Sequence, residues 1–383
     1  MLNSIFPITS NWSWLTFFLY LIVSFFTVKL CKQGLLFQET SLSEKKSVNV
    51  NSAVCFIMAW LLLVMLATLR DETVGTDTKN YIPYFLTKTS VDYRWEDFFS
   101  FRQREPGFQY YIYFIRTFTD NYTYLFFVTY SFIAFAYIHF IKNTWHHKNN
   151  TVFLYIFIFY YTSNMSGMRS AIGAAFILLS FLSLEKKSYF KSAFLTAVGV
   201  LFHYTMIFNF YVILSHWLLN NTKIREKRSL WITLIVFTIA FSNFGIYYLK
   251  GLFAGTKYDY YSVDGADTSL LGSMFFVILG VLCIYFYKEI ISRDSITNSN
   301  LIICMCLLAS YPLLFVTGAY RIPNYYIMPR LYIWSVILEE LNKKMTRKSI
   351  PLYYISIRIL AILFLLLRFT KSSVDGGFIY KLK

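Results

Sequence analysis

Apolar runs of about 18 residues or more recur from one end of this 383-residue chain to the other. Each is long enough to cross the hydrocarbon of a bilayer as a helix. No water reaches a backbone in hydrocarbon, so a spanning segment must satisfy its own N–H and C=O groups, as a helix or as part of a closed barrel. The alternating pattern of barrel strands is absent. These runs therefore predict an all-α polytopic integral membrane protein, a single transmembrane domain over residues 1–383. Only 15% of the residues are charged, against about a quarter in soluble domains.

Spanning helices are expected near 13–30, 53–69, 122–141, 151–165, 168–184, 189–203, 204–219, 230–249, 270–288, 300–317, 326–342 and 351–370, about twelve in all. The stretch 189–219 reads equally as two crossings or as one long broken helix. The first run lacks a cationic leader and a small-residue cleavage site, and is expected to be a retained helix.

A formal charge of +16 would point to nucleic acid in a soluble protein. Here the cations gather in alternate short loops, which orients a membrane chain, and no nucleic-acid partner is expected. Lys45, Lys142, Lys186, Lys223, Arg293 and Lys343 mark the basic side, and the positive-inside rule makes it cytoplasmic. The outer side then receives both termini and the loops 70–121 and 250–269. Five cysteines form no CxxC pair and no Cys/His cluster, so neither a disulfide framework nor a metal site is indicated.

The outer loop 70–121 holds the longest polar interval, with seven of the chain's 20 acidic residues between Asp71 and Glu105. It should carry short interfacial or re-entrant helices. One is Val91–Phe101, and another follows Pro106-Gly107, with Phe108, Tyr111, Ile112 and Ile115 as an apolar stripe and Gln109, Tyr113 and Arg116 on another face.

Several residues in and near this loop carry both a plain and a functional reading. Gly75-Thr76-Asp77-Thr78 is an ordinary turn, or it fixes Asp77 as a carboxylate at the membrane face. Arg104-Glu105-Pro106-Gly107 is turn punctuation with a first-turn acid, or a second functional carboxylate. Arg169 opens an apolar helix in which Gly167, Ala171 and Ala175 recur at close-packing spacing. It snorkels to head groups, or projects into an aqueous cavity where its planar fork suits phosphate. His203 lies inside about 31 apolar residues, at a depth where a polar group needs a partner or a cavity. Arg321 sits among Tyr320, Tyr325 and Tyr326, as an interfacial anchor or as a second outer cation.

In order and spacing, Arg70…Gly75-Thr76-Asp77-Thr78…Tyr81, Glu105-Pro106-Gly107-Phe108, Met168-Arg169…Ala174, Phe202-His203-Tyr204 and Arg321…Tyr325-Tyr326 resemble the EpsG-type branch of bacterial polysaccharide polymerases. These are the Wzy-like enzymes of O-antigen, capsule and exopolysaccharide assembly. The resemblance spans most of residues 53–340. The chain departs from the common pattern in Ser170 after the arginine and in Tyr204-Thr205 after the histidine.

The resemblance implies a multi-pass protein of the bacterial cytoplasmic (inner) membrane that joins undecaprenyl-diphosphate-linked oligosaccharide repeats on the outer face. Membrane lipid and a chain-length regulator are the further partners it suggests. Such chemistry needs cations for the departing diphosphate, a base for the acceptor hydroxyl and aromatic surfaces for sugars. Arg169, Arg321, Arg70 and Arg104 are the candidate cations, with Tyr81 and Tyr204 as further substrate contacts. Glu105 is expected to be the base, Asp77 its closest competitor, and His203 a third candidate suited to binding or orienting substrate. No cofactor or metal is required, because arginines can do the electrostatic work. The rival functions are a flippase for lipid-linked sugar and a membrane sugar acyltransferase.

Overall fold

A computed structural model describes residues 14–43, 50–75, 77–87, 105–146, 151–220, 229–237, 270–316, 322–344 and 359. The expected helix at Val91–Phe101, the second outer loop 250–269, and the candidates Arg104 and Arg321 lie outside them. Among the described residues all regular elements are helical.

The first half contains α1 (Trp14–Ser43), α2 (Val50–Thr68), α3 (Thr78–Thr87), α4 (Pro106–Arg116), α5 (Tyr122–Thr144), α6 (Thr151–Tyr161), α7 (Met168–Glu185), α8 (Tyr189–Phe202) and α9 (Phe208–Asn220). Short 3-10 turns follow α6 (Thr162–Met165) and α8 (Tyr204–Ile207). After a helical stretch at 229–237 come α10 (Leu270–Tyr285), α11 (Tyr287–Ile291), α12 (Ser295–Val316), α13 (Ile322–Tyr325) and α14 (Ile327–Lys343).

Four helices among the described residues are long and apolar enough to cross a membrane: Leu15–Ser41, Val50–Thr68, Tyr122–Thr144 and Met168–Glu185. Val152–Met165, Tyr189–Phe202 and Ser295–Tyr311 are apolar but shorter. Of the twelve expected crossings, most of 351–370 and most of 230–249 fall outside the described residues.

Two boundaries differ from the sequence expectation for local reasons. The first helix runs on to Ser43 rather than stopping near residue 30. Gly34 does not break it, because the bare Cα admits the Phe56 ring: a Cβ there would lie 3.0 Å from that ring. The Ser52 hydroxyl also donates to the Gly34 carbonyl at 2.8 Å. The ambiguous stretch 189–219 resolves into two helices. The break is His203, whose backbone is extended (φ −157°, ψ 113°) between α8 and the following 3-10 turn.

The hairpin α7–α8 organises the site. Lys187 takes a left-handed conformation (φ 55°). Its N–H bonds the Leu184 carbonyl and that of Ser188 bonds Ser183, both at 2.8 Å, closing α7 in the manner of a Schellman cap. The chain reverses within Lys186–Ser188, so α8 returns along α7. Gly173 and Gly199 face each other at the crossing: a Cβ on either would lie 3.3 Å from the other's carbonyl oxygen. Of the small residues expected to line this contact, Ala171 and Ala175 are buried, and Gly173 supplies the closest approach.

Candidate active site

Hairpin geometry alone brings two polar residues to one end of the bundle. Arg169 lies at the start of α7 and His203 just past the end of α8. Because the helices are antiparallel and of similar length, these ends coincide. Glu105 arrives from elsewhere. It is the N-cap of α4, with Pro106 at the first helical position, where the missing N–H costs nothing. Gly107 lets the start of α4 press on the end of α8, since a Cβ there would sit 2.8 Å from Leu201 Cβ and 2.9 Å from the Leu201 carbonyl oxygen. The expected apolar stripe faces inward at Phe108, Ile112 and Ile115, while Tyr113 faces out. Gln109, expected on the other face, is buried with the stripe, being three residues before Ile112 on the same side of the helix.

The result is a carboxylate clamped on both oxygens. Glu105 Oε2 pairs with Arg169 Nη1, and Glu105 Oε1 lies 3.2 Å from His203 Nδ1. Glu105 is 2% exposed, whereas Arg169 is 29% and His203 18% exposed. The acid is sealed in while its two partners keep an open side. Burial pushes the Glu105 carboxyl up, but the His203 hydrogen bond and the Arg169 charge outweigh it and hold the pKa at about 2.

Two consequences follow. Glu105 is an anion throughout the neutral range, so it can only accept, and His203 Nδ1 must be the donor. In the neutral imidazole that leaves Nε2 as the acceptor. Secondly, a carboxyl held this low is a weak Brønsted base, since efficient bases have pKa values near the operating pH. Its folded pKa is depressed, so the stability it contributes is present above the ordinary carboxylate range and is lost only as pH falls through that range toward 2.

Other candidates fall around this core. Tyr81, buried on α3, interacts with the Arg169 guanidinium and packs edge-on against Phe108 at 5.4 Å. Burial pushes its phenol pKa up, so it stays neutral and its oxygen accepts from the Arg169 guanidinium. Tyr204 is half-buried and within electrostatic reach of Glu105.

Asp77 holds the turn into α3, its carbonyl accepting from Asn80 and Tyr81 N–H at 2.9 and 3.1 Å. Among the described residues no hydrogen bond or ion pair joins its carboxylate to Glu105, Arg169 or His203. Gly75 in that turn has φ +100°, and a Cβ there would lie 2.5 Å from the Met165 carbonyl oxygen. The backbone thus needs glycine.

Arg70 faces inward. It is fully buried. Nη1 donates to the Ala67 carbonyl at 2.9 Å, and Nη2 donates to Tyr130 Oη at 2.8 Å and to the Met165 carbonyl at 3.1 Å. The Phe126 and Tyr130 rings lie 4.4 and 4.5 Å from its guanidinium carbon. Arg70 therefore ties the end of α2 to α5 and to the 3-10 turn that leads into Arg169. An arginine at the junction of an apolar run and an acidic loop does not, in sequence, distinguish this internal tie from an outward ligand. Arg70→Ala should destabilise the protein by about 3 kcal/mol, because it leaves Tyr130 and the Met165 carbonyl short of a charged donor. A fall of several degrees in the thermal midpoint of the purified protein checks this; an unchanged midpoint would return Arg70 to the list of ligands.

Three further residues surround the cluster: Tyr325, expected only as an interfacial or motif tyrosine, and Asn209 and Arg330, which the sequence did not single out. The Tyr325 ring stands edge-on to His203 with centroids 6.0 Å apart. Asn209, six residues past His203, is a buried hydrogen-bonding hub. Arg330 donates to the Pro323 carbonyl at 2.6 Å and the Tyr326 carbonyl at 3.3 Å, holding the turn that carries Tyr325. The polar Asn209 within an apolar helix was the available signal, since polar groups at that depth need partners.

No curated protein and no solved structure is significantly similar to the chain. The EpsG family matches it over residues 53–382. That span takes in Glu105, Arg169, His203 and every other candidate position, and far exceeds half the chain. The protein belongs to the EpsG family.

Proposed function

We propose that this membrane protein is a glycan polymerase that joins undecaprenyl-diphosphate-linked oligosaccharide repeats on the outer face of the cytoplasmic membrane. The observation that carries the reading is the clamp of Glu105 between Arg169 and His203. It sets a cation with an open side next to a histidine whose tautomer is fixed, at one end of the bundle.

In this reading Arg169 binds the donor's diphosphate and stabilises the charge that develops on it. The acceptor hydroxyl oxygen bonds to the donor's anomeric carbon while the bond from that carbon to the diphosphate oxygen breaks. His203 Nε2 takes the hydroxyl proton, and the lipid diphosphate leaves with the bonding electrons. Glu105 stays ionised. It orients the imidazole and stabilises the imidazolium, as the carboxylate does in a hydrolase triad. This assignment departs from the roles expected from sequence, where Glu105 was the base and His203 a group that binds or orients substrate. The low pKa of Glu105 and its burial support the departure. Tyr204 is a substrate contact, buried Tyr81 meets substrate through the Arg169 guanidinium it bonds, and Arg321 is a further cation for the diphosphate. A chain-length regulator is the expected protein partner.

The test uses purified protein in proteoliposomes with lipid-linked repeats. A ladder of polymer is expected, and His203→Gln should remove it while substrate still binds. Translocation without bond formation, or acylation of the sugar, would overturn the reading in favour of a flippase or an acyltransferase. Normal ladders from His203→Gln would remove the histidine from the chemistry.

A further inference from the structure

A buried polar hub lies behind the clamp, and its connections are more directed than helix packing requires. Asn209 is fully buried near the start of α9. Its amide nitrogen donates to Thr196 Oγ1 at 2.8 Å on α8 and to Ser180 Oγ at 3.0 Å on α7. Its amide oxygen accepts from Tyr326 Oη at 3.1 Å, in the turn between α13 and α14. Ser180 is in turn 2.6 Å from Ser192 Oγ. One side chain thus joins four segments. Thr196 and Asn209 flank the break at His203, seven residues before it and six after.

The fourth segment carries the directional information. Tyr326 is wedged between Phe181 and Phe208, with ring centroids at 5.4 and 5.7 Å. The residue before it, Tyr325, presents its ring to His203. Fixing the Tyr326 hydroxyl therefore fixes the backbone from which Tyr325 reaches the imidazole. Met206, in the 3-10 turn after His203, packs over Gly173, where a Cβ would lie 3.0 Å from the Met206 side chain. The His203 ring then has two lateral constraints: Glu105 on Nδ1 and Tyr325 on its side. Small residues or a single interhelical hydrogen bond would suffice to hold α7 against α8. Joining both flanks of the break to the turn that bears Tyr325 goes further.

We propose that Asn209 and Tyr326 are positioning residues that set the His203 ring for proton transfer, acting through the α8–α9 break and through Tyr325. This inference rests on the polymerase reading above. A network of this kind trades helix-packing stability for a defined orientation, and misplacement of a reacting group by about 1 Å can cost on the order of 100-fold in rate.

Tyr326→Phe removes one hydroxyl and keeps the ring, so Asn209 retains both of its bonds to α7 and α8. In proteoliposomes, this variant should bind lipid-linked repeat with unchanged affinity and stoichiometry, keep its thermal midpoint within a few degrees, and polymerise about 10- to 100-fold more slowly per bound substrate. Asn209→Leu should slow the rate further. If that variant does not insert, Tyr326→Phe alone decides the matter. A purely structural role predicts that binding stoichiometry and rate fall together, or that neither changes; both results overturn the inference while leaving the polymerase reading standing. Absence of polymer from the unsubstituted protein overturns the polymerase reading itself, and the inference with it.

Discussion

Glu105→Gln binds the lipid-linked repeat and forms no polymer: this is the expected outcome of the most informative single substitution. The glutamine keeps the length and shape of the side chain. Its oxygen can still accept from His203 Nδ1, but its amide then points two hydrogens at the Arg169 guanidinium. Turning the amide to satisfy Arg169 points them at His203 instead, which favours the opposite tautomer and blocks Nε2 from accepting a proton. Either arrangement also loses the negative charge that stabilises the imidazolium. In a serine-protease triad the equivalent loss lowers kcat by about 10^4, and a fall of three to four orders of magnitude is expected here. Substrate binding should persist, because Arg169 is freed from its internal counter-ion and 29% exposed already. Gel analysis of polymer, alongside a binding measurement with the lipid-linked repeat, tests both halves. Normal polymer would end the role of Glu105; lost binding would make it a substrate ligand.

Arg169→Ala should fail at an earlier step, with both binding and polymer lost. A charge-assisted contact to a diphosphate contributes several kcal/mol where water is partly excluded. The same change removes one of the two groups that hold Glu105 ionised, so the acid is left buried beside His203 alone. Arg169→Lys should rescue poorly. An ammonium is a point charge that cannot face Glu105 and a phosphate with a planar fork, nor keep the contact with Tyr81. Polymer of ordinary length from Arg169→Ala would take the residue out of the mechanism. The two variants separate by phenotype: bound but unreactive for Glu105→Gln, unbound for Arg169→Ala.

Much of the architecture was legible locally. Segments expected at 122–141 and 168–184 correspond to helices Tyr122–Thr144 and Met168–Glu185, because hydropathy and capping act over a few turns. The meeting of Arg169 and His203 was nearly legible as well, since two similar helices joined by a tight turn must return to the same end. The ambiguity at 189–219 was harder. Leu201-Phe202-His203-Tyr204 contains no proline or glycine, so nothing local marks the extended backbone at His203, beside which Met206 packs over Gly173 of another helix.

The order and spacing of its motifs marked this chain as EpsG-type, and its hydropathy marked it as a helical membrane protein with one carboxylate-rich loop and a few deep polar residues. The helices and the polar loop follow from solvent partitioning and short-range geometry, and each segment expresses them alone. Only the tertiary structure decided which polar residues are partners. Glu105 meets Arg169 and His203 across 64 and 98 positions, and Tyr326 meets Asn209 across 117. Arg70 turned inward for the same reason: a buried cation goes where acceptors are, and the Tyr130 hydroxyl and Met165 carbonyl reach it only once α2, α5 and the turn before α7 have packed. Pairings of this kind depend on helix packing and on where a missing Cβ lets backbones touch, as at Gly107 against Leu201. A weak base and a strong one are indistinguishable in sequence, because the charge environment that separates them is assembled only in three dimensions.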